Sequence, residues 1–241
     1  KKGFELVMYT NGLPLDQNAI ERLTGLRLNV LRVSMWASSP ESFADQVNLM
    51  TPDKFHHIVD GMSALSRCKK KLGVRYPILE LCHSITRRNL ENLTETVALA
   101  EKTGCDKLCF SPIVDFAEGE LLSFVPGRDE QKQICDTLVD IKRQLDQRAI
   151  VHNIDTMLLH YRVNGRIYDN VPCYPAWYFS YIRSDGRVYA CQRNTHKTKP
   201  LGDLRVDRFR DIWNNSAYRA FRRTVSTCEG LSTVDEYYCD F

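Results

Sequence analysis

The sequence predicts an α/β protein followed by a small hairpin-based module, and three observations predict it. Four short β-rich apolar runs lie in the first 113 residues, each followed by a polar loop and a helix-periodic stretch, the pattern of a parallel sheet with helical crossovers. That rhythm lapses near residue 150. Beyond it, β-rich runs flank Asp185-Gly186, a dipeptide suited to a hairpin turn. The expected division is therefore 1–150 for the α/β part, 151–171 for a connector and 172–241 for the second module.

The predicted strands are 4–10 (FELVMYT), 30–35 (VLRVSM), 77–85 (PILELCHSI) and 107–113 (KLCFSPI). They should be adjacent, parallel and in chain order, because each gap holds one helix pattern. The helix after the second strand opens with Thr51 as N-cap and Pro52 at the first helical position, buries Phe55, Ile58, Val59, Met62, Leu65 and Leu72, and stops at Gly73. The next runs from about Leu90 to Thr103 and ends at Gly104; the last carries Ile134, Leu138, Ile141 and Leu145 along one face. The stretch 151–171, with its Asn, Gly and Pro, shows no sustained period and reads as irregular. In the second module, 178–184 and 187–191 pair through a two-residue type I′ turn, and two short helices follow LGDL, with Phe209, Ile212 and Trp213 on the first and Phe221 and Val225 on the second.

With 43% apolar and 26% charged residues the 241-residue chain has the composition of an ordinary globular protein. Its net charge of +3 is too small to argue for nucleic acid or an anionic membrane surface, and no apolar run approaches the ~20 residues of a membrane span. A cytoplasmic protein with neither partner is the expectation. Nine cysteines, an odd number, do not form a closed set of disulfides, so reduced thiols or a metal site are expected.

Cys173 and Cys191 bracket the hairpin as Cys-x₁₂-Gly-x₄-Cys, and Cys228 and Cys239 lie near the end of the chain. A hairpin that returns one thiolate to the level of its entry, with tail cysteines folded back over it, suits an iron–sulfur cluster or structural zinc. Packed thiols are the other reading. Cys68, Cys82, Cys105, Cys109 and Cys135 read as core packing. The six histidines show no metal-ligand spacing; His83, near a strand end, is a candidate for the site together with Arg87 and Asp115.

YTNG and LRVSM at two strand ends, SITRRNLENL, FSPI, CYPAW, SDGRVYAC, and LGDL followed by FRDIWNNSAYRAFRR together resemble the radical S-adenosylmethionine enzymes, specifically those with a C-terminal SPASM or twitch extension. The resemblance covers nearly the whole chain. It implies part of a six-stranded (β/α)6 barrel, a partial TIM barrel with its third to sixth strands present, followed by a β-hairpin and helix module for an auxiliary [4Fe–4S] cluster. It places Thr10, Ser34 and Ile113 at the S-adenosylmethionine-binding mouth and Cys173, Cys191 and Cys239 on the auxiliary cluster, with Cys228 or a residue beyond Phe241 as the fourth ligand. A second [4Fe–4S] cluster, S-adenosylmethionine and a 5′-deoxyadenosyl radical that abstracts a substrate hydrogen belong to the full-length enzyme. Its substrate would be a small molecule or peptide and its electron donor a flavodoxin- or ferredoxin-like protein. The Cys-x₃-Cys-x₂-Cys motif of the catalytic cluster does not occur in this sequence, so the chain is expected to be a fragment, inactive alone. The rival reading is a non-catalytic module that binds zinc or a partner through a degenerate barrel.

Overall fold

The computed structural model describes residues 3–26, 28–46, 51–113, 123–162, 175–191, 195 and 199–225. The chain divides into two compact units, Lys1–Gly165 and Arg166–Phe241.

The first unit is a five-stranded parallel sheet in chain order: β1 (Val7–Thr10), β2 (Val30–Met35), β3 (Ile78–Ile85), β4 (Lys107–Pro112) and β5 (Val151–His152). The four expected strands are adjacent and parallel as the sequence predicts. Helix α1 (Gln17–Gly25) follows β1 and starts at Asp16, whose carboxylate accepts the Ala19 N–H. After β2 come α2 (Pro40–Gln46) and the long α3 (Pro52–Leu72), which ends at Gly73 in the left-handed conformation, φ 64°. Phe55, Ile58, Val59, Met62 and Leu65 are buried as expected, but Leu72, in the last turn, is exposed. Helix α4 is shorter than its pattern suggests, covering only Thr96–Thr103 after two single-turn 3₁₀ segments, Arg87–Asn89 and Leu93–Glu95. In α5 (Arg128–Gln147), Ile134, Leu138, Ile141 and Leu145 are all fully buried.

The structure corrects the expected connector at its start. Val151–His152 is the fifth strand and Ile154–Arg162 is a helix, α6, both inside the first unit. Asn153, which reads as a turn residue, clamps the neighbouring strand: its side chain accepts the Phe110 N–H and donates to the Phe110 carbonyl, each at 2.8 Å. Residues 163–171 lie outside those described.

Strand register divides the sheet residues between two faces. Leu31, Val33, Met35, Leu79, Leu81, Ile85, Leu108 and Phe110 join the helices in one apolar core. The other face carries rows of polar side chains in register: Tyr9, Arg32, Glu80 and Lys107, then Ser34, Cys82 and Cys109, then Ser84 and Ser111. At the sheet edge, β1 and the residues before it leave Phe4, Leu6, Met8 and Tyr9 exposed.

The second unit has helix α7 (Pro175–Tyr178), an antiparallel sheet of β6 (Tyr181–Ile182), β7 (Arg187–Tyr189) and β8 (Gly202–Asp203), and helices α8 (Phe209–Trp213) and α9 (Ser216–Val225). Ala176, Val188, Ala190, Ile212 and Tyr218 form its core. The hairpin is present, but its turn differs from the expected one. Gly186 has φ 85° and no other residue of the turn has positive φ. The Gly186 N–H bonds to the Arg183 carbonyl and the Arg183 N–H to the Arg187 carbonyl, both at 2.9 Å. The loop therefore has three residues, with glycine in the left-handed position closing it, where a type I′ turn would need Asp185 left-handed too. Among the described residues no helix is long and apolar enough to cross a membrane.

Candidate functional site

Cys191 leaves the return strand of the hairpin half-buried, directly after Val188, Tyr189 and Ala190, which are all buried. The LGDL and IWNN segments explain how that strand is held. The Leu201 N–H bonds to the Val188 carbonyl at 2.7 Å, and the Leu201 carbonyl accepts the Asn215 side-chain amide at 2.7 Å. The Asn215 side-chain oxygen in turn accepts the Tyr218 N–H at 2.7 Å, capping α9. Gly202 lies so close to Ile212 that a Cβ there would come within 2.6 Å of its side chain, so a side chain at 202 would push α8 off the sheet.

Arg222 of α9 secures the entry side. Its Nε donates to the Ala176 carbonyl at 2.8 Å, and its guanidinium lies over Trp213 at 4.5 Å, Tyr218 at 4.7 Å and Trp177 at 5.5 Å. Trp213 packs against this core, and Trp177 is exposed. Cys173 lies two residues before α7; it, Cys228 and Cys239 fall outside the described residues.

In the first unit, Ser34 is half-buried on the polar face in register with Cys82. Ile113, half-buried, lies one residue past β4, and its N–H bonds to the Ile85 carbonyl at 3.2 Å. Thr10 does not join Ser34. It is in register with Val33, on the helix-covered face, and its hydroxyl accepts the Gly12 N–H at 3.1 Å. Side chains alternate along a strand, so a residue in register with Val33 points away from one in register with Cys82.

His83 also belongs to the covered face. It is fully buried between Met35 and Phe110, and burial lowers its pKa to about 3, so the imidazole is neutral. Asn89 reaches its Nε2 at 3.2 Å while also donating to the carbonyls of Ser84 at 2.7 Å and Trp36 at 3.0 Å. His83 and Asn89 thus fix the turn after β3 from beneath. Arg87 pairs with Glu130 at 3.0 Å, and Asp115 lies outside the described residues.

A cluster that the sequence reading assigns to core packing lies on the polar face. Glu80, 4% exposed, is bonded by Arg32 Nε, and Lys107 Nζ is 3.4 Å from its other oxygen. Cys109 Sγ is 3.9 Å from Glu80 Oε2, and Cys82 is in register with Cys109. The Cys82–Cys109 hydrogen bond lowers the pKa of Cys109, and the nearby Lys107 and Arg32 act in the same direction; the same bond, with burial, raises that of Cys82. The visible signal was the spacing: Glu80 and Cys82 are two apart on one strand, so they share a face, and Glu80 is a carboxylate set between the apolar Leu79 and Leu81.

Residues 173–234 match the SPASM family, an iron–sulfur cluster-binding domain. The chain is 22% identical to the AdoMet-dependent heme synthase of Methanosarcina barkeri, over 98% of this chain and 67% of that protein. It is 24% identical to the tungsten-containing aldehyde ferredoxin oxidoreductase cofactor-modifying protein of Pyrococcus furiosus, over 100% of this chain and 68% of that one. Among solved structures it is similar to native anSMEcpe with bound AdoMet, with TM-score 0.64 and 15% identity over 90% of this chain and 58% of that one. Streptococcus suis SuiB bound to S-adenosylmethionine matches with TM-score 0.62 and 12% identity, over 90% of this chain and 49% of that one. The chain thus spans about half to three-fifths of the solved structures it matches. Residues 173–234 thus match the SPASM iron–sulfur cluster-binding domain, and the chain over nearly its whole length is similar to an AdoMet-dependent heme synthase and shares the fold of AdoMet-bound solved structures.

Proposed function

We propose that this chain supplies the later strands of a radical S-adenosylmethionine enzyme and its auxiliary-cluster domain, acting on a peptide or small-molecule substrate. The observation that carries this reading is the small core packed against the hairpin strand that ends at Cys191. Ala176, three residues after Cys173, and Ala190, adjacent to Cys191, are buried in one small core. The described ligand fits the group: Cys191 is a free thiol at the exit of the hairpin, and thiolates are the ligands iron–sulfur clusters take. Cys173, Cys191 and Cys239 would hold an auxiliary [4Fe–4S] cluster, with Cys228 the further candidate. Such a cluster would supply one-electron chemistry beside the S-adenosylmethionine and catalytic cluster that the longer enzyme would hold for hydrogen abstraction from substrate.

The protein's part is positioning. Ser34 and Ile113 offer a hydroxyl and an apolar surface toward S-adenosylmethionine, and the loop after β3 is held by Asn89 and His83. Thr10, in register with Val33, faces away from Ser34 and caps the turn after β1. A peptide substrate accords with SuiB bound to its precursor peptide SuiA and with anSMEcpe bound to the Kp18Cys peptide. A flavodoxin- or ferredoxin-like donor would deliver the electrons.

Anaerobic purification tests the reading. Iron and sulfide with broad absorption near ~400 nm are expected, and bound zinc with no iron would instead favour the non-catalytic module. Cys191→Ala should lose most of the iron, and Cys228→Ala should keep most of it. The isolated chain with reductant should yield no 5′-deoxyadenosine; its appearance would overturn the assignment of this chain as a part that is inactive alone.

A further inference from the structure

We propose that Cys82, Cys109 and Glu80 form a binding site for a soft divalent cation such as zinc, with two sulfurs and one carboxylate oxygen as ligands and a fourth position open. The three ligand atoms lie within 4.8 Å of one another, and no other group of three such atoms comes as close among the described residues. A modest inward shift of side chains brings them to metal-bonding distance, about 2.0–2.3 Å for zinc. Two thiolates and a carboxylate are a donor set that zinc accepts and that hard cations, which prefer all-oxygen sites, do not.

The supports are those of a prepared ligand set. Cys82 and Cys109 are in register on neighbouring parallel strands, so the backbone fixes their separation. Glu80, two residues before Cys82, is held from both sides: Arg32 bonds one oxygen and Lys107 lies 3.4 Å from the other. Metal-binding carboxylates are oriented by outer hydrogen bonds of this kind. Ser34, in register with Cys82, brings a hydroxyl to the same row. The other described thiols of this unit belong to no such group: Cys68 and Cys135 pack against the apolar core, and the Cys105 thiol bonds the Ala100 carbonyl at 3.7 Å. On binding, the thiol protons pass to solvent and the cation takes their place. The site shares no residue with the hairpin cysteines, so its failure and that of the auxiliary-cluster reading are separate results.

The probe is Cd²⁺, added anaerobically to the full chain. Each cysteine is labelled with iodoacetamide in the folded protein and quantified by peptide mass spectrometry. Cd²⁺ is expected to slow labelling of Cys82 and Cys109 together by about tenfold or more, leaving Cys68 and Cys135 at their metal-free rates. After desalting, the Cys82→Ser/Cys109→Ser chain should hold one Cd²⁺ fewer than the wild type, and Glu80→Gln should bind it about tenfold more weakly. Labelling of Cys82 and Cys109 that Cd²⁺ leaves unchanged, or equal Cd²⁺ in the two chains, overturns the proposal. A Cys82–Cys109 disulfide that resists labelling until reduced also overturns it, in favour of a redox pair. If the double variant loses its circular-dichroism spectrum, the wild-type labelling alone decides.

Discussion

The two faces of the parallel sheet come from the same strands, yet they follow different rules. On the covered face, Val33, Leu81 and Leu108 are fully buried among helix side chains, and the polar His83 is tolerated there only uncharged. On the polar face, Arg32, Glu80 and Lys107 stand in one row, so their charges are buried or half-buried beside partners of opposite sign. The covered face contributes stability through packing, which is insensitive to which apolar atoms meet as long as volume is kept. The polar face holds specific groups in register, where identity matters more than volume. A strand's two-residue period lets one segment do both.

Substitutions should separate the two faces, and the largest effect belongs to packing. Leu81→Ala leaves a cavity in the centre of the core and is expected to cost about 3 kcal/mol, read as a lower urea midpoint at unchanged slope. The next effect is a pH dependence. Because the folded pKa of His83 is about 3 and its unfolded value about 6.5, the unfolded chain takes up the proton first. Stability from this group is complete above about pH 6.5 and lost as pH falls toward 3, about 2 kcal/mol by pH 5. His83→Gln should remove that part of the pH slope, measured as the difference between the variant and wild-type unfolding curves at pH 7 and pH 5. The smallest effect is Glu80→Gln, at about 1 kcal/mol, because Arg32 and Lys107, whose side chains are about a quarter exposed, retain water as a partner. A Glu80→Gln loss as large as that of Leu81→Ala would show that the polar face also carries the fold.

The same contrast explains what could be read from the sequence. Long periodic elements were legible: Ile134, Leu138, Ile141 and Leu145 mark α5, and Gly73 and Gly104 mark two helix ends. β5 was not, because two residues show no period, and Asn153, a turn former by composition, acts as a backbone clamp once Phe110 is beside it. The turn at Asp185-Gly186 was located but not typed, since loop length depends on the pairing register of Arg183 with Arg187. That Thr10 faces away from Ser34 was not legible, because the four residues VMYT show no alternation that marks the covered side. Cys82 and Cys109 were readable as strand residues but not as a pair, because only the alignment of two strands 27 residues apart makes them neighbours.

The clamp at Asn153 also makes the two margins of the sheet unlike. Along β4, Phe110 has its N–H and carbonyl both taken by the Asn153 side chain, and Pro112, the next residue turned the same way, has no N–H to offer. Among the described residues, β4 therefore pairs on that side only with the two residues of β5 and with the Asn153 side chain. At the other end, β1 leaves a backbone edge flanked by exposed Phe4, Leu6, Met8 and Tyr9, the kind of margin on which another strand can add. Among the described residues, then, the sheet has two unlike margins: one where a side chain takes the place of a strand beside β4, and one where the backbone of β1 has no strand beyond it.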